Sequence, residues 1–252
     1  VNIVFSLVDH NHQPITLTTD SETEINLNLA YTFTTKEELQ IAVNEWIADE
    51  ASATTAYGEI NTWDVSQITD MSNLFKEKTT FNSDISSWDV SQVTNMYAMF
   101  YKAHAFNQDL SNWNVAQVNN MQAMFSRAFD FNQNIGEWNV SGVTNMHEMF
   151  IQTTSFNQDI SSWDVSNVTT TAFMFYETLF DQDLSSWNVT NVTTMEGMFN
   201  GVTLSQPNYE ATLNGWATQG VKPGVIFDGG NSQYCDSTGR ETLTGTYGWI
   251  IT

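Results

Sequence analysis

The order of apolar and polar residues along this chain repeats with a long and nearly constant period. Tryptophans mark the period, at intervals of 24 or 25 residues: Trp63, Trp88, Trp113, Trp138, Trp163 and Trp187. Such a period is typical of repeat proteins, in which each unit is too small to bury its own apolar face and must stack on its neighbours. The pattern therefore predicts a stack of about six units.

The clearest unit, residues 81–100, reads FNSDISSWDVSQVTNMYAMF. Trp88 and Val90 alternate with polar neighbours, which predicts a short strand over residues 87–91. The apolar residues of VTNMYAMF, residues 93–100, recur at the spacing of one helical face. The predicted fold is therefore an α/β, leucine-rich-repeat-like solenoid with one short parallel strand and one short helix in each unit.

The flanks of the array predict caps. Thr35 and Glu38 have the spacing of a capping box ahead of an amphipathic helix. After the array the pattern degrades, with closing strands expected near residues 225–227 and 249–252 and a helix from about Ser237. The predicted segments are a β element or the end of a preceding domain (1–31), a capping helix (32–56), the repeat array (57–200) and degenerate repeats with a cap (201–252).

Charge narrows the classes of partner. The chain has 29 acidic and seven basic residues, a formal net charge of −22. A surface this negative repels nucleic-acid phosphates and anionic lipid headgroups. The chain also contains no run of about 20 apolar residues, the length that spans a bilayer. We therefore expect neither nucleic-acid binding nor direct membrane insertion, whereas cationic partners and neutral glycans stay possible.

An outward column of Asp and Asn at the centre of the predicted strands is the strongest candidate binding site. Adjacent strands of a parallel stack lie about 4.8 Å apart, and carboxylates at this spacing repel one another or recruit a cation. Small polar neighbours leave the column flat, which suits a polar macromolecule or a glycan. The alternative is that these are solvated residues kept short for twist and solubility. The column comprises Asp64, Asp89, Asn114, Asn139, Asp164 and Asn188.

Two further polar columns follow the aromatic residue that begins each unit. The first is predicted to satisfy backbone groups that a tight corner leaves unpaired; it comprises Asn82, Asn107, Asn132, Asn157 and Asp181. The second offers oxygen ligands for Ca²⁺ along an edge, although it lacks a glycine-rich ligand loop; it comprises Asp84, Asp109, Asn134, Asp159 and Asp183. No other cofactor is expected.

Catalytic and transition-metal signatures are weak. His10 and His12 lie beside Asp9, but no third strong ligand is near them in the sequence. The chain contains no GxSxG, HExxH or phosphate-binding loop. We therefore expect no enzymatic activity.

The unit FNQDISSWDVSNVT, followed by M-x-x-M-F, resembles the repeat of the BspA-like leucine-rich-repeat surface proteins of bacteria and some protists. The resemblance covers residues 57–199. It implies an extracellular or cell-surface protein in adhesion or protein–protein interaction, with a partner protein or glycan on a host, a matrix or a neighbouring cell. Two alternatives stay open: a structural spacer within a larger surface protein or filament, and a glycan-binding module.

Overall fold

The structure, a computed structural model, describes residues 30–252. The β element predicted for residues 1–31 and the pair His10 and His12 lie outside the described residues, except for Ala30 and Tyr31. The helices are α1 (Lys36–Ala48), α2 (Glu50–Tyr57), a 3-10 helix (Ile60–Thr62), α3 (Gln206–Ala217) and α4 (Thr238–Gly245); the strands are β1 (Ile226–Phe227) and β2 (Ile250–Ile251).

Residues 63–205 form consecutive tight turns and contain neither a helix nor a strand. The predicted strand at 87–91 and the predicted helix at 93–100 are therefore wrong. The Asp89 carboxylate accepts a hydrogen bond from the backbone N–H of Ser91 at 3.0 Å, which folds the strand segment into a turn. Ala98 has a φ of 51°, which interrupts the helical path.

Consecutive repeats are joined by backbone hydrogen bonds along the turn segment that follows each tryptophan. In the second repeat every second N–H, from Met96 to Lys102, donates to a carbonyl of the third repeat at 2.8–3.0 Å. The pattern recurs in neighbouring repeats. Each repeat therefore adds one rung, a row of parallel backbone hydrogen bonds to the next repeat. Single-residue parallel bridges mark these rungs and link Asp70, Asn95, Asn120, Asn145, Thr170 and Thr194 in that order.

Two left-handed residues in each repeat give the turn segment its shape. Ala98 and Lys102 have φ values of 51° and 56°, and each is the third residue of a β-turn closed by the next N–H, that of Met99 or Ala103. A non-glycine residue costs about 1–2 kcal/mol in this conformation. The equivalent non-glycine residues are Asn73, Glu77, Ala123, Arg127, Glu148, Gln152, Phe173 and Glu177.

Aromatic and sulfur-containing side chains fill the inside of the stack. The six repeat tryptophans are at most 4% exposed, which confirms that their column is core. The indole N–H of Trp113 donates to the Ile85 carbonyl of the preceding repeat at 3.2 Å, and its equivalents do the same. Six phenylalanines stack face to face with ring centroids 5.3–5.8 Å apart: Phe75, Phe100, Phe125, Phe150, Phe175 and Phe199.

The first asparagine column satisfies backbone N–H groups, as predicted, and the N–H groups belong to the next repeat. The side-chain oxygen of Asn132 accepts hydrogen bonds from the backbone N–H of Asn157 and the side-chain amide of Gln158, both at 3.0 Å. The N–H of Asn132 in turn donates to the side chain of Asn107 at 3.0 Å. These side chains thus satisfy corner N–H groups that no backbone carbonyl reaches.

The N-terminal cap begins as the sequence predicts. The Thr35 hydroxyl accepts from the N–H of Glu38 at 3.2 Å and starts α1. Trp46 of α1 packs edge to face on Trp63, with ring centroids 5.9 Å apart, and so covers the first repeat. The single predicted helix is two helices, because Asp49 ends α1 and accepts from the N–H of Ser52 to start α2.

The C-terminal segment closes the other end of the stack. Strands β1 and β2 pair in parallel, with Ile226 opposite Ile250, where the sequence predicts closing strands. Helix α4 begins after Ser237, also as predicted. Helix α3 is not predicted by the repeat pattern; it places Trp216 in the core, with its indole N–H donating to the Leu184 carbonyl at 2.9 Å.

Trp113 and Asp89 provide a matched test of the inner and outer positions. We expect Trp113→Ala to lower the free energy of unfolding by about 3–5 kcal/mol, because it removes a buried ring and leaves a cavity. Asp89→Asn should change it little, since Asn139 forms the same turn in the fourth repeat. Urea denaturation of both variants measures the difference. A larger loss for Asp89→Asn would contradict the observed arrangement.

The asparagine column supplies a second stability test. Asn132→Ala leaves two donors without their acceptor and should cost about 1–3 kcal/mol. Asn132→Asp keeps the acceptor, as Asp181 does in the sixth repeat, and should cost clearly less. Equal losses for the two variants in urea denaturation would show that the acceptor is unimportant.

Candidate functional site

The six residues of the predicted binding column share one structural role. In each, the side-chain oxygen accepts a hydrogen bond from the backbone N–H two residues on, at 3.0–3.2 Å. This is an Asx turn, which Asp and Asn favour over other residues. Five of the six are exposed and Asp64 is half-buried. No side chain among them lines a described cavity, and their role in binding stays a prediction.

The second acidic column forms the same kind of turn. Its side-chain oxygens accept from the N–H two residues on at 2.8–3.0 Å. A third column, represented by Asn95, does so as well. Among residues 30–252, no group of three or more His, Cys, Asp or Glu side chains is placed to hold a metal ion. Each of the three polar columns thus holds a turn of the backbone.

These hydrogen bonds also lower the pKa of the carboxyl groups that accept them. The backbone N–H of Ser111 lowers the pKa of Asp109, and that of Ser161 lowers the pKa of Asp159. The hydroxyl of Ser166, with its N–H, lowers the pKa of Asp164. The ionised form of each carboxyl is therefore linked to the folded state.

A different set of positions varies from repeat to repeat. Four positions surround the buried phenylalanine of each turn segment, and that phenylalanine is the same in all six repeats. The position three residues before the phenylalanine holds, in chain order, Ser72, Tyr97, Gln122, His147, Ala172 and Glu196, and the position two before it holds Asn73, Ala98, Ala123, Glu148, Phe173 and Gly197. The position directly after the phenylalanine holds Lys76, Tyr101, Ser126, Ile151, Tyr176 and Asn200, and the position two after it holds Glu77, Lys102, Arg127, Gln152, Glu177 and Gly201.

We call the surface formed by the turn segments the turn face. It comprises residues 72–79, 97–104, 122–129, 147–154, 172–179 and 196–203. The large hydrophobic side chains that are most exposed within the array all belong to it: Tyr97, Phe129 and Leu179, with Leu179 72% exposed. These three side chains come from the second, third and fifth repeats.

The turn face also collects basic residues of this acidic chain. Four of the seven lie on it: Lys76, Lys78, Lys102 and Arg127. Lys102 forms an ion pair with Glu77 at 3.2 Å, which raises the pKa of the lysine. Because Glu and Gln side chains stand beside these cations, the turn face carries both signs of charge rather than a basic patch.

Two cavities open on the turn face, and Glu148 lines both. The larger, about 380 Å³, is bounded by Arg127, Glu148, Ile151, Gln152, Phe173 and Tyr176. The smaller, about 280 Å³, is bounded by Lys76, Glu77, Tyr97, Ala98, Tyr101, Ala123 and Glu148. The smaller cavity exists because the second and third repeats have the small residues Ala98 and Ala123 at this position. The equivalent residues of the fourth and fifth repeats, Glu148 and Phe173, are larger.

Phe173 is held over the larger cavity by an unfavourable backbone conformation. Its φ is 55°, uncommon for a bulky residue. Gly197 of the next repeat gives the ring its space, since a Cβ there would lie 2.4 Å from it. His147 and Tyr176 flank the ring, with centroids 6.0 and 6.1 Å away. The left-handed conformation recurs at this position in every repeat, but the fifth repeat alone places an aromatic ring there, where the others have Asn, Ala, Glu or Gly.

The sequence interpretation missed the turn face because it assigned the two positions before the phenylalanine to the outer side of a helix and the two after it to a return loop. The sequence nevertheless contains the signal. From one repeat to the next the Trp, Asp/Asn and Phe positions are nearly constant, whereas the residues at these four positions change. Positions that perform the same structural task in each repeat need the same residue. Positions that contact a ligand do not.

The period and the inter-repeat rungs define this chain as a repeat protein. Two overlapping segments, residues 45–153 and 116–216, match the DUF285 family, described as a Mycoplasma protein of unknown function. Together the matches cover more than half of the 252 residues, so the chain belongs to this family. Comparison with curated proteins and with solved structures gave no significant match. Within residues 30–252, no helix combines the length and the hydrophobicity that crossing a membrane requires.

The lowered carboxyl pKa values predict a loss of stability in acid. Their native pKa values lie below the unfolded value of about 3.9, so the stabilisation is present above about pH 4 and is lost as the pH falls through the native values. The variant Asp109→Asn, Asp159→Asn, Asp164→Asn keeps the turns without the carboxylates. Its melting temperature should fall less than that of the wild type between about pH 5 and pH 3. Identical pH profiles would contradict the linkage.

Proposed function

We propose that this protein is a non-enzymatic binding module, a leucine-rich-repeat-like solenoid that recognises its partner through the turn face. The observation that carries the proposal is the contrast between constant and variable positions. The residues that stack the repeats recur with little change, whereas the turn face differs in every repeat and carries the exposed Tyr97, Phe129 and Leu179. Repeat proteins commonly bind along one such extended surface.

The alternative function, a passive spacer, has less support. A spacer needs uniform stacking and a soluble exterior, and polar side chains would serve at every turn-face position. Exposed aromatic and aliphatic side chains lower solubility unless a partner covers them. A spacer also has no need of the Phe173 ring, because the smaller residues Ala98 and Ala123 occupy the same left-handed position in other repeats.

The resemblance to the BspA-like surface proteins supports an extracellular or cell-surface setting. In that setting the module would mediate adhesion to a protein or glycan on a host, a matrix or a neighbouring cell. The net charge of −22 favours partners that are neutral or cationic.

Two variants separate the turn face from the outward column. The turn-face variant is Tyr101→Ser, Phe129→Thr, Ile151→Ser, which uses the residues Ser126 and Thr154 that other repeats carry at these positions. The outward-column variant is Asp64→Asn, Asp89→Asn, Asp164→Asn, which keeps the Asx turns. Both should therefore fold, as thermal unfolding checks.

Binding of the wild type and both variants is measured on immobilised extracellular-matrix proteins and glycans by biolayer interferometry. We expect the turn-face variant to lose roughly tenfold or more in affinity, because aromatic anchors dominate interfaces. The outward-column variant should bind as the wild type does. The opposite result would assign binding to the column of Asp64, Asp89 and Asp164, and unchanged binding by both variants would contradict recognition through either surface.

A further inference from the structure

The two cavities are adjacent, since Glu148 lines both, and together they make an elongated candidate site. The smaller begins at Lys76 in the first repeat and the larger ends at Tyr176 in the fifth. The site therefore crosses four steps of the stack, each 5.3–5.8 Å as measured between stacked phenylalanines. This shape suits a linear chain of several similar units better than a single small molecule.

One wall of the larger cavity is polar and held in place by hydrogen bonds. The Arg127 Nε donates to the Gln152 side-chain oxygen at 2.8 Å, and the Gln152 amide donates to the Glu177 carboxylate at 2.6 Å. These contacts leave the terminal guanidinium nitrogens of Arg127 without a hydrogen bond to the described residues. Glu148 adds a carboxylate whose Oε1 lies 3.9 Å from Nδ1 of His147. Planar groups of these kinds bind pairs of neighbouring hydroxyls through parallel hydrogen bonds.

The opposite side of the larger cavity is apolar, formed by Ile151, Phe173 and Tyr176. The smaller cavity repeats the combination, with Tyr97 and Tyr101 beside Lys76 and Glu148. A cavity with apolar walls and a few aimed polar groups is the usual form of a small-ligand site. Sugar rings match it, because each has an apolar face of C–H groups and an edge of hydroxyls.

The charges on the site disfavour ionic ligands. In the larger cavity Arg127 and Glu148 balance each other, so the lining carries no net charge. Across both cavities Lys76 and Arg127 balance Glu77 and Glu148, so an ionic ligand of either sign meets a like charge as well as an opposite one, and an anionic ligand also approaches against the field of a chain of charge −22. A neutral ligand avoids both costs.

We propose that the site around Glu148 binds a neutral oligosaccharide. Glu148 and Arg127 hydrogen-bond its hydroxyls, and the rings of Phe173 and Tyr97, three repeats apart, lie against the apolar faces of different sugars towards the two ends of the site. The inference rests on the proposed use of the turn face and names the class of ligand for it.

The test is a titration of the ¹⁵N-labelled chain, followed by ¹H–¹⁵N NMR, with cellotriose, maltotriose and triacetylchitotriose, and with trigalacturonate as the anionic control. We expect at least one neutral trisaccharide to shift amide resonances of residues 148–152 and 173–177 in a saturable manner. The affinity should not change between low and high salt, since no ionic contact is formed. Trigalacturonate should leave these resonances unshifted.

Substitutions that the repeat itself tolerates make the test specific. Phe173→Ala and Glu148→Ala introduce the residue found at Ala98 and Ala123 in the same left-handed position. Each should weaken trisaccharide binding about tenfold, the effect of losing one good contact. Glu196→Gln, on the turn face but outside both cavities, is the matched control and should bind like the wild type.

The inference is overturned if no neutral trisaccharide shifts the cavity resonances, if trigalacturonate shifts them as strongly, or if Phe173→Ala and Glu148→Ala bind as the control does. These failures are distinguishable from failure of the proposed function. If the turn-face variant loses its partner while the trisaccharides leave the spectrum unchanged, the turn face binds a ligand of another class. If the turn-face variant also binds normally, both proposals fall.

Discussion

The backbone ladder between consecutive turn segments is the interaction on which the rest of the structure depends. Every second N–H along the segment donates to the next repeat, so successive segments lie directly above one another. This register brings the phenylalanine rings face to face and aligns each indole N–H with a carbonyl of the preceding repeat. The ladder requires two left-handed residues per repeat, and the hydrogen bonds and stacked rings offset their conformational cost.

The same constraint explains the unusual composition. A chain of consecutive turns leaves N–H groups that no strand or helix partner reaches, and buried polar groups must be paired. Asx turns such as those at Asp84, Asp89 and Asn95 supply the acceptors from side chains. In the fifth and sixth repeats the hydroxyls of Thr170 and Thr194 take the place of the third. The abundance of Asp, Asn, Ser and Thr is therefore a structural requirement of the coil.

Much of this arrangement is predictable from the sequence, and the errors have a physical origin. The burial of Trp88, the cap at Thr35 and the role of Asn132 follow from period, spacing and chemistry. The strand and helix assignments fail because turns closed by Asx residues also place apolar residues at alternating and three-residue intervals. The site around Glu148 depends on small residues in two repeats facing large ones in the next two. A consensus sequence of the repeats does not show this difference in side-chain size between individual repeats.

Amide hydrogen exchange tests the ladder most directly. The N–H groups of Lys102, Arg127 and Gln152 belong to residues that are only half-buried, yet each donates to a carbonyl of the next repeat at 2.7–2.8 Å. If the ladder holds the repeats together, these amides exchange only on global unfolding, as slowly as the amide of the buried Trp113. Exchange at the rate of exposed loop amides would contradict the account, because the turn segments would then not be stacked through their backbones.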